Sequence, residues 1–502
     1  VDHSNHGANI ELREIANAER GMSPMGIWCN EAQERYVLII ATDGIDDFRG
    51  LCERERCPVS VIGTLTDGGQ VVVNDREFEN QPVDIPMSML FGNPPKMTRD
   101  VKREASATTD IDLHGIELRE AAKRVLRFPA VADKSFLIHI GDRTVGGLSV
   151  RDQMVGPWQV PVADVAVTAT SFNVHTGEAM AMGERTPIAL LDGAASGRMA
   201  VGEAITNIAA SAINKMGDIK LSANWMAPAG HPGEDAVLFD TVKAVGMELC
   251  PELDIAIPVG KDSMSMKTVW TQDGEERAVT APLSLVITAF APVSDVRSTL
   301  TPQLSYQQGT LLIAIDLGCG KNRMGGSALA QVYKQIGDTP ADLDDPKLLK
   351  NFFTVIQDLN HQGKIMSYHD RSDGGLFTTL CEMAFAGHCG MSVDIAGLCG
   401  GEGGDAAAAL FNEELGAVIQ ISSNDIEFIM NDLRAAGLGD CSHVIGTVNQ
   451  SGKIAIYNDV DPVFEDTRVN LQRAWSETTH QDRKSTRLNS SHVALSRMTS
   501  SA

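Results

Sequence analysis

Two stretches of this sequence repeat one another, and an internal repeat limits the possible folds more strongly than any single motif. The first stretch, residues 61–75, reads VIGTLTDGGQVVVND, and the second, residues 444–459, reads VIGTVNQSGKIAIYND. Before each stretch, at a spacing that differs by one residue, stand an Asn-Glu pair and an apolar run, at 30–40 and at 412–421. The matched order of strand, helix, strand, turn and strand predicts a duplicated domain.

The two copies have different surroundings in the chain. The second copy follows a long stretch, starting near Thr310, that reads as part of the same domain. The first copy has few residues before it. We therefore expect the chain to begin inside a domain, as a fragment of a longer protein.

Hydrophobic periodicity between and around the copies predicts alternating helices and strands, which is an α/β (α+β) fold class. The segment 111–127 has apolar residues at helical spacing, and 192–215 reads as a long apolar helix. Strands are predicted at SFLIHI (135–140), VADVAVTAT (162–170), PLSLVITAF (282–290) and TLLIAID (310–316), and a further helix at SALAQVYKQIG (327–337). The Ser/Arg-rich segment from about 482 has no period and predicts disorder, with an origin foreign to the native protein.

Composition excludes several classes of function. The net charge is −24, with 66 acidic and 42 basic residues, and such a chain lacks the basic surface that nucleic acid requires. The longest apolar runs are too short to span a membrane. None of the nine cysteines forms a CxxC pair, which argues against a zinc site or a disulfide framework and favours the reducing cytoplasm.

The helix AVGEAITNIAAS (200–211) is apolar on nearly every face except at Glu203 and Asn207, which stand one turn apart on the same side. An unpaired buried carboxylate is costly, and a hard cation such as Mg²⁺ accepts both carboxylate and amide oxygens. A buried hydrogen bond or ion pair would explain the same pattern. Asp164 interrupts another apolar run, as a third ligand or as the end of a strand.

The loop HDRSDGGL, which contains Asp370 and Ser372, precedes an apolar helical run. Its glycines permit close backbone approach, and helix N-termini attract phosphate. Two acidic residues would repel phosphate unless a cation lies between them. The loop therefore indicates either a metal-bridged nucleotide or a simple capped helix start. The Gly-rich segment 318–327 lacks the Walker A pattern and predicts a tight turn between strand and helix.

Long motifs, in order, resemble one family, the large single-chain phosphoribosylformylglycinamidine synthases of purine biosynthesis. The resemblance covers roughly residues 10–481. The motifs that carry it are GMSPMGIWCNEAQERY, RDQMVGPWQVPVADVAVT, GERTPIALLD, VGEAITNIAA, IKLSANWMAPAGHPGEDA, IPVGKDSMSMKT, HDRSDGGL and LFNEELGAVIQ.

The resemblance implies a carbon–nitrogen ligase that amidates formylglycinamide ribonucleotide with ATP and with glutamine as the amido donor. It implies an aminoimidazole-ribonucleotide-synthetase-like fold of duplicated A and B domains. The implied domains are the C-terminal part of the first B domain (1–110), the second A domain with its leading helix (111–300) and the second B domain (301–475). Residues 476–502 are predicted, from their composition and not from the resemblance, to be a disordered, non-native tail. An auxiliary Mg–ATP/ADP site maps onto Asp164, Glu203, Asn207 and Asp370 for the metal and onto Ala163, Ser372 and Lys134 for the nucleotide.

Three parts of the family pattern have no counterpart in this sequence, namely the Gly-rich ATP loop of the catalytic half, the histidine-bearing linker domain and the glutaminase. The missing synthetase half and the glutaminase are therefore the implied partners, and the isolated chain is expected to be inactive. A second hypothesis is a non-catalytic module in which a trapped Mg–nucleotide stabilises the fold. A third hypothesis is another ATP-using enzyme of the superfamily. The segments VGPWQVPVAD and GKDSMSMK argue against it.

Overall fold

The structure is a computed structural model that describes residues 6–19, 21–30, 32, 35–92, 98–104, 108–141, 143–144, 146–400 and 405–493, with side chains described up to 482. The chain forms two compact units, Val1–Asp100 and Val101–Ala502. The first unit ends earlier than the predicted boundary at 110. The predicted boundary at 300 falls in the second unit, between its two large sheets.

The first unit contains one four-stranded sheet in the order β2-β1-β3-β4, in which β1 is parallel to β3 and the other pairs are antiparallel. A small core that includes Leu12 and Val73 covers one face of the sheet. Its elements are β1 (Gly7–Glu11), α1 (Pro24–Trp28), α2 (Ile45–Arg54), β2 (Gly63–Thr66), β3 (Gln70–Asp75), β4 (Asn80–Pro86) and α3 (Met87–Phe91).

The second unit begins with two helices and a six-stranded sheet in the order β5-β6-β7-β12-β8-β9, from which a hairpin, β10-β11, projects. A π-helical stretch, Lys243–Leu249, joins two of its helices. The elements are α4 (Leu118–Arg127), α5 (Ser135–His139), β5 (Ser149–Arg151), β6 (Ala166–Ala169), β7 (Gly177–Glu184), α6 (Gly193–Ile208), β8 (Lys220–Met226), α7 (Glu234–Val242), α8 (Cys250–Leu253), β9 (Ala256–Ser263), β10 (Lys267–Gln272), β11 (Glu275–Thr280) and β12 (Ser284–Val293).

A seven-stranded sheet in the order β14-β16-β13-β17-β15-β18-β19 completes the second unit. Its elements are β13 (Thr310–Asp316), α9 (Ala328–Val332), α10 (Pro346–His361), β14 (Ile365–Asp370), α11 (Gly375–Gly387), β15 (Gly390–Asp394), α12 (Ala406–Phe411), β16 (Gly416–Ser422), α13 (Ile426–Ala435), β17 (Ser442–Asn449), β18 (Lys453–Asn458), β19 (Asp461–Thr467) and α14 (Arg468–Val493). These sheets and helices confirm the predicted mixed α/β class. No helix in the described part of the chain has the length and apolar character needed to cross a bilayer.

The repeat is visible as one strand arrangement that occurs twice. In the second unit β17-β15-β18-β19 has the same order and the same pattern of parallel and antiparallel pairs as β2-β1-β3-β4. The apolar run 418–421 lies in β16, between β13 and β14, whereas its counterpart 37–40 is not a strand. A strand requires a neighbour for its backbone hydrogen bonds, and the described residues of the first unit provide none for this run.

Helix α6 joins the two sheets of the second unit and determines where the site forms. Asp192 caps its N-terminus by accepting the Ala195 amide, and nearly all its faces are buried against β7, β12 and β14. Gly202 has no room for a side chain, because a Cβ there would lie 2.2 Å from a Leu415 methyl carbon. One hydrophobic core therefore continues from the six-stranded sheet through α6 to the seven-stranded sheet.

Three predicted elements differ from the structure. The segment 135–140 is not a strand but the helix α5, which opens where Asp133 accepts the amide and hydroxyl hydrogens of Ser135. The helix predicted over 111–127 begins only at Leu118, and the one predicted over 327–337 is the single short turn α9.

The prediction of disorder from 476 onward is wrong up to Val493, because α14 continues to that residue. Residues 494–502 lie outside the described part of the chain. The helix persists because its first half packs on α4 and α11. The Trp475 indole donates to the Val131 carbonyl at 2.9 Å, and the Thr478 hydroxyl donates to the Arg127 carbonyl at 2.6 Å.

Truncation after Gln481 should leave the melting temperature unchanged, because the last side chain of α14 with a described buried contact is Thr479. Trp475→Ala, by contrast, should cost about 3–5 kcal/mol through the cavity that it leaves. Thermal melts of both variants and the wild type check this. A drop of several degrees on truncation would mean that residues beyond 481 dock on the body.

Candidate metal centre

Three titratable side chains meet where β14 ends and β6 is about to begin. His369 and Asp370 are the last residues of β14, and Asp164 stands just before β6. The His369 Nδ1 atom lies 2.6 Å from Asp164 Oδ1, and the Asp370 amide donates to the same oxygen at 3.2 Å. On its other side His369 Nε2 lies 2.9 Å from Glu382 Oε2 on α11. All three members of the centre are buried, with side chains 7% exposed or less.

The second carboxylate oxygens of Asp164 and Asp370 are buried and have no hydrogen-bond partner. Burial, reinforced by the charge of Asp164, raises the pKa of Asp370 well above its usual range. Burial lowers the pKa of His369, but Asp164 and Glu382 outweigh it and raise that pKa well above its usual range. Buried polar oxygens normally have partners, and unpartnered oxygens on two neighbouring carboxylates suit a hard cation. One ligand atom from each of the three residues lies within 4.8 Å of the others, so the residues fit a metal ion.

Glu203 and Asn207, the two other predicted metal ligands, both lie on α6. One Glu203 oxygen accepts the Glu184 amide at 2.8 Å, and burial raises the pKa of Glu203 to about 7 against the opposing charge of Arg185. The charge of Glu203 in turn raises the pKa of Asp370, which places the two carboxylates within electrostatic range. The Asn207 amide nitrogen donates to the Met182 carbonyl at 3.0 Å, so its carbonyl oxygen is the atom that could bind a cation.

The predicted nucleotide residues lie around the same centre. Ala163 precedes Asp164 and is partly buried, and Ser372 lies in the loop between β14 and α11. The Lys134 ammonium donates to the carbonyls of residues 130 and 132. Burial lowers the pKa of Lys134, while Glu382 and Asp373 act in the opposite direction, so this cation lies near the acidic side chains of the site.

The sequence indicated a helix N-terminus that could attract phosphate, but the glycine amides of this loop already have hydrogen-bond partners within the protein. Glu413 accepts the Gly374 amide at 2.7 Å, and its other oxygen pairs with buried Arg185 at 2.8 Å. The Gly375 amide donates to the Ser372 carbonyl at 2.9 Å. Both amides are therefore occupied, and a phosphate bound here would depend on a cation and on Lys134 for its neutralisation.

A second buried network, centred on Arg371, holds the loop between β14 and α11. Arg371 pairs with Asp316 at the end of β13 and donates to the carbonyls of Glu414 at 2.7 Å and Leu415 at 3.0 Å. Burial raises the pKa of Asp316, but Arg371 and the amides of residues 318 and 320 outweigh it and hold that pKa below its usual range. Arg371 follows Asp370 directly, so this network fixes the backbone that carries the metal centre.

Sequence reasoning missed four residues of the site: His369, Glu382, Arg185 and Glu413. A signal existed for two of them. Glu382 is the one acidic residue in the apolar run LFTTLCEMAFAG, and His369 precedes Asp370 in the loop already selected. Arg185 and Glu413 come from segments distant in the chain, and only the fold shows that they meet.

Two family models match the chain. The model described as the FGAR-AT PurM_N-like domain matches residues 133–292. The model described as the C-terminal domain of AIR synthase related proteins matches residues 1–76 and 307–458, the two stretches that contain the repeat. The matches therefore agree with the duplication and with the division of the second unit into two sheets.

Solved structures from Thermotoga maritima share the fold. The PurL complexed with FGAR is 11% identical with a TM-score of 0.54, and the match covers 70% of this chain and 53% of that one. The PurLQS structure is 14% identical with a TM-score of 0.51, covering 70% and 52%. The PurL complexed with AMPPCP is 12% identical with a TM-score of 0.50, covering 71% and 51%. The chain thus spans about half the length of the structures that it matches.

Proposed function

We propose that this chain is part of the synthetase portion of a phosphoribosylformylglycinamidine synthase and holds an auxiliary Mg–nucleotide at the buried centre. The observation that carries the proposal is the pair of unpartnered oxygens on Asp164 and Asp370. The motif resemblance, the two family matches and the shared fold support the same assignment.

In this proposal Asp164, Asp370, Glu203 and Asn207 hold Mg²⁺, which supplies positive charge between the carboxylates and the nucleotide phosphates. Ala163, Ser372 and Lys134 line the nucleotide. His369 bonds one oxygen of Asp164 and so directs the other oxygen toward the cation. Glu413 accepts the Gly374 amide, and Arg185 holds Glu413 in place by donating to its other oxygen.

The reaction proposed for the whole protein is the ATP- and glutamine-dependent amidation of formylglycinamide ribonucleotide, a ligase activity with glutamine as amido donor. It requires a glutaminase and a second ATP site, and motifs for neither occur in these 502 residues. The chain's proposed partners are therefore the other synthetase half and the glutaminase, and its proposed compartment is the cytoplasm.

A non-catalytic role for the nucleotide is a second candidate, favoured by the burial of the centre. Asp370 and His369 are 4% and 6% exposed, and His369 contacts both Asp164 and Glu382 of α11. A nucleotide held there would contribute to stability by binding only the folded state. The two candidates differ in whether the bound nucleotide turns over.

We expect the purified chain to carry a nucleotide, to lose it in a chelator at the same time as Mg²⁺, and to show no catalysis. Native mass spectrometry before and after chelation, followed by identification of the released nucleotide, tests the site. Incubation with glutamine, and separately with ammonia, ATP and formylglycinamide ribonucleotide, tests activity. Nucleotide retained at full occupancy without Mg²⁺ would contradict the metal assignment, and glutamine hydrolysis or amidine formation would contradict the expected inactivity.

A further inference from the structure

Two cysteines from distant parts of the sequence meet at one end of the seven-stranded sheet. Cys319 lies in the turn after β13, and Cys441 directly precedes β17. These strands are antiparallel neighbours, with Ile315 opposite Ser442, so the end of one lies beside the start of the other. The two sulfur atoms are 2.6 Å apart, and both cysteines are free thiols.

The two thiols have different environments. Cys319 is exposed, whereas Cys441 is buried with 4% of its surface accessible. Burial, and next the contact with Cys319, raises the pKa of the Cys441 thiol above its usual range. A thiol reacts as its thiolate and needs access to the reagent, so Cys319 is the member of the pair that a reagent in solution would meet first.

We propose that Cys319 and Cys441 are a site of reversible disulfide formation, driven by exchange with a low-molecular-weight disulfide such as oxidised glutathione. The Cys319 thiolate attacks one sulfur of oxidised glutathione, which forms a mixed disulfide and releases one glutathione thiolate. Cys441 then gives its proton to water, and its thiolate attacks the Cys319 sulfur and releases the second glutathione. Two protein thiols are oxidised by two electrons, and one glutathione disulfide is reduced to two thiols.

The link would act on the segment that carries Asp370, one of the four proposed metal ligands. Asp316 accepts the amides of Gly318 and Gly320 at 3.1 and 2.7 Å, which holds the turn that bears Cys319. The same carboxylate pairs with Arg371, next to Asp370. A cross-link between cysteines 122 positions apart closes a loop that includes β14 and α11 and restricts the unfolded chain, so the oxidised protein should melt several degrees higher.

The sequence allows a direct test on the folded full chain. Trypsin places Cys319 on the peptide 298–321 and Cys441 on the peptide 435–453, and each peptide contains a single cysteine. The native protein is equilibrated in buffers of increasing ratio of oxidised to reduced glutathione, quenched in acid, alkylated and digested. We expect the linked pair 298–321/435–453 to replace the two alkylated peptides as the ratio rises, and reduced glutathione to reverse the change.

Variants separate the two steps. Cys441→Ser should stop at Cys319 carrying one glutathione, and Cys319→Ser should leave Cys441 as a free thiol. Cys57→Ser, which removes a cysteine beside Cys52 in the first unit, is the matched control and should retain the link. Recovery of two separately alkylated peptides from wild type at every ratio, or a link that forms only in urea, would overturn the proposal. The wild-type map decides the outcome even if a serine variant fails to fold.

Discussion

Asp370→Asn is expected to raise the melting temperature of the nucleotide-free protein and to abolish the further rise that Mg–ADP produces in the wild type. Burial and the charge of Asp164 raise the pKa of Asp370, so the metal-free folded state keeps a proton that the unfolded state releases above about pH 4. That difference costs stability, increasingly so as the pH rises from about 4 toward the raised folded value. Asparagine has no such cost, but it cannot supply a carboxylate to a cation.

The two effects of Asp370→Asn have opposite signs, and this distinguishes a metal site from a merely structural carboxylate. A ligand at about 100 times its Kd contributes about 2.7 kcal/mol to the wild type, and the variant should lose nearly all of it. Thermal melts in chelator and in Mg–ADP, at several pH values, measure both the stability of the nucleotide-free protein and the additional stabilisation by the ligand. Asp425→Asn, which removes a carboxylate paired with Lys364 at 2.7 Å, is the matched control and should keep the ligand-dependent shift.

A ligand-dependent shift of equal size in Asp370→Asn and the wild type would rule out Asp370 as a ligand. A nucleotide-free variant less stable than wild type would show that the carboxylate has a partner in the folded protein. After either result, Glu203 would be the next carboxylate to test by substitution, because burial raises its pKa to about 7.

The predictable parts of this fold were those whose signal lies within one element. TLLIAID is the buried strand β13, and the repeated VIGT stretches form equivalent strands in the two units, β2 and β3 in the first and β17 and β18 in the second. Glu203 was selected because a carboxylate in an apolar helix is costly, and the structure does bury it. In each case local sequence and tertiary environment favour the same conformation.

Partnerships between distant segments could not be predicted in this way. SFLIHI has the composition of a strand, yet Asp133 opens a helix there by accepting the amide of Ser135. The pairing of Glu413 with Arg185 joins residues that no spacing rule relates. The same holds for the contact between Cys319 and Cys441. The number and spacing of the cysteines in the sequence argued against a disulfide framework, but they contained no information about which cysteines lie close together.

Arg371→Met is expected to destabilise the second unit by about 3–5 kcal/mol, because it leaves the buried Asp316 carboxylate without its cation. It also removes donors from the carbonyls of Glu414 and Leu415. Arg198→Met is the matched control, because Arg198 makes a two-bond pair with Asp342 whose side chains are 22% and 20% exposed. A more solvated pair of this kind should cost less than the fully buried pair of Arg371 with Asp316.

The pH dependence of the Arg371→Met penalty identifies its cause. In the wild type the pKa of Asp316 lies below its usual range, so the stability contributed by this ion pair is lost only when the pH falls below about 4. Without Arg371, burial should raise the pKa of Asp316. Acidification from pH 7 to pH 5 should then protonate Asp316, which removes the uncompensated buried charge and restores part of the variant's stability. The stability gap between wild type and variant, measured by denaturant unfolding, should therefore narrow as the pH falls over this range. Asp316→Asn combined with Arg371→Met should recover part of the loss at pH 7 and make the remaining gap independent of pH. A gap that stays constant in the single variant would mean that the lost carbonyl contacts, and not the uncompensated charge, account for the penalty.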